Sequence, residues 1–448
     1  METKITRIIY LTNISCLLIQ RELLENRLEM AKLYSNKIVT VLTAAYRKGY
    51  VEYNDNFNDK NITKLIDLGF IFIKEVDNDK LEQIKADNLW HYEHNPLHFT
   101  ENLNFELTYE CNSKCPHCLL KTQRQSFQGQ ELSFDEIKKC IADSYFAGII
   151  RNGINFTGGE ALLSKTNIFE LIDYASSYGI PTRLYTNTFW GNKVVFTAGT
   201  KRFSTPLALV RALKNYGLSQ LAISFDSRLD KDKEGVKQLA SVVHACESVG
   251  LRYELVATRD TKTKLDSFIS YLKKTGNSEF KYMSTVVNDL VDMGGVNDII
   301  HKEEFTDSLT NLVYQSHCKI KGYYSPTTLT VNPEGGVRSC LYGLGLDNLG
   351  SIRKSSFINI INRIHENDVS QAFSQDNIKE YADKLFEPFK HLYIPFEHPC
   401  TACVLIARLI QEYHRSKDTE KLTADDLLNI NMKIAKELNL LKTDLPIN

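Results

Sequence analysis

Three cysteines, Cys111, Cys115 and Cys118, are separated by three and then two positions, directly after the strand-like run Leu103 to Thr108. A CxxxCxxC loop this compact can present three thiolates to one [4Fe-4S] cluster and leave the fourth iron without a protein ligand, open for chemistry. Zinc is the competing reading; it usually takes four Cys or His ligands, and His117 is the nearby candidate for the fourth. Farther on, Thr157-Gly158-Gly159-Glu160 closes the strand-like run Gly153 to Phe156 ahead of a helical pattern. Adjacent glycines let the backbone approach a ligand closely, and a carboxylate beside them can accept hydrogen bonds from an ammonium group. The runs Arg183 to Asn187 and Leu221 to Asp226 are apolar and finish in small polar side chains, where α/β barrels carry functional groups. Loop capping is the plainer role for Asn187 and Asp226, and Arg259 is either a carboxylate partner or a solvated charge.

These groups need elements to hold them. Ser133-Phe-Asp-Glu136 reads as a capping box that opens a helix to about Ala147, and Thr205-Pro206 sets a cap residue before a proline at the first helical position. Helical periodicity continues at Asn167 to Tyr178, Lys233 to Val249 and Lys264 to Lys274. Six strands alternating with helices call for a parallel sheet joined by right-handed crossovers. Thr328 to Arg338 reads as a β-hairpin around a Pro and Gly turn that delivers Cys340. Cys140 and Cys246 fall inside helical patterns and are expected in the core as small hydrophobes, as is Cys16.

From about Leu103 to Thr285 the chain resembles the radical S-adenosylmethionine (SAM) superfamily, on its CxxxCxxC, its GGE segment and the two polar strand ends, in that order. The resemblance implies an α/β fold, a partial (β/α)6 TIM-like barrel over residues 96–295. It also implies that Cys111, Cys115 and Cys118 hold the SAM-binding [4Fe-4S] cluster, whose open iron chelates the methionine moiety. Gly158, Gly159 and Glu160 would meet the methionine amino group, Asn187 would lie near the cofactor, and Ser224 and Asp226 would bind its ribose or carboxylate. Reductive cleavage of SAM to methionine and a 5′-deoxyadenosyl radical is the implied reaction, fed by a donor such as flavodoxin or ferredoxin. No residue beyond the cluster is assigned a catalytic role.

The later cysteines resemble the shortened SPASM, or twitch, domain of the same superfamily. Cys318, Gly335 and Cys340 match its cysteine, spacer and GxxxxC, while Cys400 and Cys403 match its CxxC. Residues 296–416 are therefore expected to carry one auxiliary [4Fe-4S] cluster on Cys318, Cys340, Cys400 and Cys403. The Cys318 to Gly335 and Cys340 to Cys400 gaps are longer than usual for that pattern, and four thiolates also suit zinc. A second redox centre favours net oxidation, because it gives a substrate radical somewhere to send an electron.

Residues 1–95 alternate strand-like and helical stretches: Ile5 to Gln20, Leu24 to Tyr34, and a short helix at Asn61 to Phe70 entering a strand from Phe70 to Lys74. They weakly resemble the winged-helix-like recognition module of enzymes that mature ribosomally made peptides, which binds a leader as an added strand. A packing extension is the alternative. Residues 417–448 form a tail whose helix starts near Thr423 to Asp426. At 448 residues, 43% hydrophobic and net charge −1, the chain supports two or three domains and gives no global attraction to nucleic acid. With no signal peptide or membrane-spanning run expected, ten cysteines point to metal or catalytic use in the cytoplasm, and to oxygen sensitivity. The expected activity is oxidative crosslinking of a ribosomally synthesised precursor peptide. A small-molecule dehydrogenase, a maturase of a protein side chain and a non-catalytic iron-sulfur or zinc-binding interaction protein stand as alternatives.

Overall fold

The computed structural model describes residues 5–11, 51–53, 63, 71–79, 82, 102–146, 153–225, 233–258, 261–275, 280–288, 290–291, 293–295, 328–346, 349–362, 364–374, 378–386, 388–389, 398–416 and 422–440. The chain divides into two units, Met1–Asn102 with Gly148–Gly153, and Leu103–Ala147 with Ile154–Asn448.

The first unit contains three strands, β1 (Ile5–Leu11), β2 (Val51–Tyr53) and β3 (Ile71–Asp77), in the order β2-β1-β3. Both pairings are antiparallel. Arg7 lies opposite Glu75 and donates to its carboxylate at 2.9 Å across the ladder, an exposed pair that contributes about 1 kcal/mol at most. The helix expected at 24–34 lies outside the described residues, and of the one at 61–70 only Thr63 is described, as helical.

In the second unit a strand is followed by a helix, repeatedly. The elements are β4 (Asn102–Thr108), α1 (Lys121–Ser126), α2 (Phe134–Phe146), β5 (Gly153–Gly158), α3 (Ile168–Ser177) and β6 (Thr182–Thr186). After a hairpin of β7 (Phe196–Ala198) and β8 (Lys201–Phe203) come α4 (Pro206–Asn215), β9 (Gln220–Ser224), α5 (Lys233–Val249), β10 (Tyr253–Thr258), α6 (Lys262–Thr275) and β11 (Met283–Asn288). The pairs β5-β6, β6-β9, β9-β10 and β10-β11 are all parallel. Strands of a parallel sheet buried on both faces are near-continuous apolar runs, and Leu221, Ala222 and Ile223 are accordingly all buried. The caps do what their residues dictate: Ser133 and Glu136 bond reciprocally through side chain and backbone N–H, and Thr205 Oγ1 accepts from Ala208 N with Pro206 next in line. Cys140 and Cys246 are buried in helices, and burial pushes the Cys140 thiol up to about 12.

The sheet continues beyond β4 through β12 (Thr328–Val331), β13 (Gly336–Arg338) and β14 (Gly350–Ser351), for the order β11-β10-β9-β6-β5-β4-β12-β13-β14. The β12-β13 hairpin is antiparallel, with Thr330 opposite Arg338. Around it lie α7 (Phe357–Asn362), α8 (Asp368–Ser374), α9 (Ile378–Leu385), α10 (Pro399–Arg415) and α11 (Ala424–Glu437). Helix α10 is buried almost all round from Thr401 to Gln411, as a central core helix must be. One apolar cluster joins Leu344, Leu346, Phe373, Leu385, Leu405, Ile406 and Ile434, so the helix capped by Thr423 and Asp426 shares a core with the segment carrying Cys340, Cys400 and Cys403. No described helix is long and apolar enough to cross a membrane.

Candidate active site

The cluster loop is held from three directions. Within it, Cys118 N donates to Cys115 O at 3.2 Å and Ser113 N to Cys111 Sγ at 3.4 Å. From behind, Gly295 N donates to Cys118 O at 2.8 Å, and a Cβ on Gly295 would stand 2.3 Å from Pro116 O, so only glycine permits the approach. From the following helix, Arg124 Nη2 donates to Cys111 O at 3.1 Å and Ser113 O at 2.7 Å, and Nη1 to Cys118 Sγ at 3.6 Å. Burial pulls the Arg124 guanidinium down, but the bond to Cys118 and the charges of the three thiolates outweigh it and leave its pKa raised.

The Gly158-Gly159-Glu160 segment runs against the entrance to that loop. Gly159 N donates to Thr108 O at 2.7 Å and Glu160 N to Glu110 O at 2.9 Å. A Cβ on Gly158 would meet Thr108 O, and one on Gly159 would meet Glu110 O, each at 2.3 Å; Gly158 also has φ +120°. The glycines are therefore needed for closeness to the end of β4 as well as to any ligand. Glu160, 1% exposed, accepts from Leu162 N at 3.3 Å and from Asn187 N at 2.7 Å. Asn187 Nδ2 in turn donates to Asn112 Oδ1 at 2.9 Å, Ser113 Oγ at 3.0 Å and Cys111 Sγ at 3.6 Å.

These residues border one cavity of about 250 Å³, with Cys111, Cys115, Cys118 and His117 on the loop side, Gly158, Gly159, Glu160 and Asn187 beside it, and Ser224, Tyr185, Val256 and Thr258 from the strand ends. Burial pushes the Tyr185 phenol up and Glu254 adds to it, against the pull of Arg183. Among the described residues no three His, Cys, Asp or Glu converge tightly enough for a single metal ion. Three thiolates spaced around a shared cavity fit a cubane, which is gripped at separate corners. Asp226, Arg259, Cys318 and Cys16 lie outside the described residues.

Of the second cysteine set, Cys340 follows β13, while Cys400 and Cys403 occupy the first turns of α10, three apart and so on one face. All three pack against the same apolar cluster. His398 caps that helix, its Nδ1 accepting from Cys400 N at 3.1 Å. A buried network missed by sequence reasoning lies between the two cysteine segments. Arg338 pairs with Glu106, both almost wholly inaccessible; Tyr109 OH donates to Glu106 at 2.8 Å, and Arg338 Nε donates to Cys340 O at 3.1 Å. The alternation Asn104, Glu106, Thr108 within Asn102–Thr108 was the available signal for inward polar groups. Arg124 left only its position in the helix after Cys118.

Residues 105–256 match the Radical SAM superfamily. The antilisterial bacteriocin subtilosin biosynthesis protein AlbA of Bacillus subtilis is 23% identical over 71% of this chain and 70% of its own. The mycofactocin maturase MftC of Mycobacterium tuberculosis is 26% identical over 39% of this chain and 42% of its own, so the match spans less than half of that relative. Among solved structures, Streptococcus suis SuiB bound to precursor peptide SuiA covers 77% of this chain and 76% of its own at 13% identity, with a TM-score of 0.38. Residues 105–256 form a radical SAM domain.

Proposed function

We propose that this chain cleaves S-adenosylmethionine and uses the product radical to modify a ribosomally synthesised precursor peptide oxidatively, by crosslinking. The observation that carries the reading is the joining of Cys111, Cys115, Cys118, Glu160 and Asn187 around one cavity within a radical SAM domain. The likeness to a bacteriocin biosynthesis protein over most of the chain and to a maturase over its centre supports a peptide substrate.

In this reading Cys111, Cys115 and Cys118 hold a [4Fe-4S] cluster, and Cys318, Cys340, Cys400 and Cys403 hold an auxiliary one. Together with SAM, the first cluster supplies the electron and the 5′-deoxyadenosyl radical that starts the chemistry. The protein's own residues do the rest. Glu160 accepts the methionine ammonium while its bond to Asn187 N keeps the carboxylate aimed; Gly158 and Gly159 let the chain pass close by; Ser224 and Asp226 take the ribose or carboxylate. Tyr185 and Val256 supply an apolar wall against water. Residues 96–295 act as the partial (β/α)6 barrel, residues 296–416 as the twitch-like domain, 417–448 as its helical tail, and residues 1–95 recognise the leader by strand addition. The enzyme works in the cytoplasm with flavodoxin or ferredoxin as donor.

Replacing Cys111, Cys115 and Cys118 together by Ala should remove roughly four irons per chain, one whole cluster, and abolish 5′-deoxyadenosine production by the anaerobically reconstituted protein. Retained cleavage of SAM in that variant would defeat the assignment.

A further inference from the structure

The two halves of the CxxxCxxC loop are secured by different means. Its second half is held by backbone: Cys118 O accepts from both Lys121 N and Gly295 N, and Cys115 O accepts from Cys118 N. In its first half, Cys111 O and Ser113 O both accept from one side chain, the Nη2 of Arg124, whose Nη1 meanwhile lies on Cys118 Sγ. A single planar guanidinium thus spans the loop from its first cysteine to its last and borders the cavity that the thiolates share.

We propose that Arg124 is a positioning residue that sets the reduction potential of the SAM-binding cluster, an inference that rests on the radical SAM reading. Reduction adds an electron to a group already wrapped in thiolates. A fixed cation donating N–H to a ligand sulfur therefore stabilises the reduced state over the oxidised one, and hydrogen bonds to the sulfurs are among the levers that tune such potentials. Asn187 Nδ2 donates to Cys111 Sγ as well, but as a neutral amide. The fork geometry matters equally. Lysine carries the charge as a point on a flexible stem and cannot serve two carbonyls and a sulfur from one rigid plane.

The test is an anaerobic redox titration of the reconstituted full chain, followed by electron paramagnetic resonance, with iron content measured in parallel. Only a cluster with an open iron changes its signal when SAM is added, which separates it from the auxiliary centre. Arg124→Gln should lower the equilibrium constant for reduction about tenfold, a potential more negative by about 59 mV for one electron. Arg124→Lys should lower it about threefold, since it keeps the charge and loses the fork. A loop that Arg124 merely folded would change iron content and leave the potential of the loaded fraction unmoved. An Arg124→Gln potential equal to that of the wild type, with iron retained, overturns the proposal. Should Arg124→Gln fail to hold iron, Arg124→Lys decides, and a wild-type potential there overturns it as well. Absence of any SAM-responsive signal in the wild-type protein would overturn the radical SAM reading and this inference with it; a failure of the Arg124 assignment alone leaves that signal in place.

Discussion

Gly159 shows how much of the site depends on what a residue lacks. An added Cβ would stand 2.3 Å from Glu110 O and 2.8 Å from Tyr109 O, both backbone atoms that cannot swing aside. Gly159→Ala must therefore push the GGE segment off the end of β4 and take Glu160 away from Asn187. Overpacking of this kind costs typically about 1–3 kcal/mol of stability, but the sharper effect falls on the ligand. Calorimetry of the reconstituted protein with SAM should show affinity lost at least about tenfold, the equivalent of about 1.4 kcal/mol. Unchanged affinity would mean that the segment does not shape the methionine site.

At the scale of elements, the strands and helices that position the site were readable because their residues repeat at clear periods and carry caps. Lys233–Val249 matches its helical pattern from end to end, and the Ser133 and Thr205 caps sit where their side chains are needed. The β7-β8 hairpin left no such mark: two three-residue strands about Gly199 are too short for a period to register, and aromatic packing of Phe203 on Phe169 and Phe196 holds them. The Arg338 to Glu106 pair was illegible for a different reason. Its partners stand 232 residues apart in the chain, and nothing local to either one names the other. The pair fastens β13 to β4, the two strands that lead into the two cysteine segments. Arg338→Met leaves an uncompensated carboxylate in a site 3% exposed, and breaking a buried pair in this way costs about 3–5 kcal/mol. Replacing both partners by apolar residues of similar volume should cost much less than the two single changes added. Denaturant unfolding of the four proteins in that cycle checks it; plain additivity would show that the two side chains do not act together.

At the scale of the whole molecule, the proposed function divides labour between a small unit and a large one. The larger holds every described residue of the candidate active site, while the smaller contributes an antiparallel sheet in which β2 and β3 flank β1. Strand addition would give a peptide affinity through backbone bonds and specificity through side-chain pockets, leaving the larger unit to supply the radical. The most direct measurement incubates the anaerobically reconstituted full chain with SAM, a low-potential reductant and a short peptide encoded beside its gene, and follows nucleoside and peptide mass together. Formation of 5′-deoxyadenosine with a peptide that has lost a pair of hydrogens is the expected result. Formation of 5′-deoxyadenosine that no such peptide stimulates, with every peptide recovered at its starting mass, would contradict the account and shift the substrate to a small molecule.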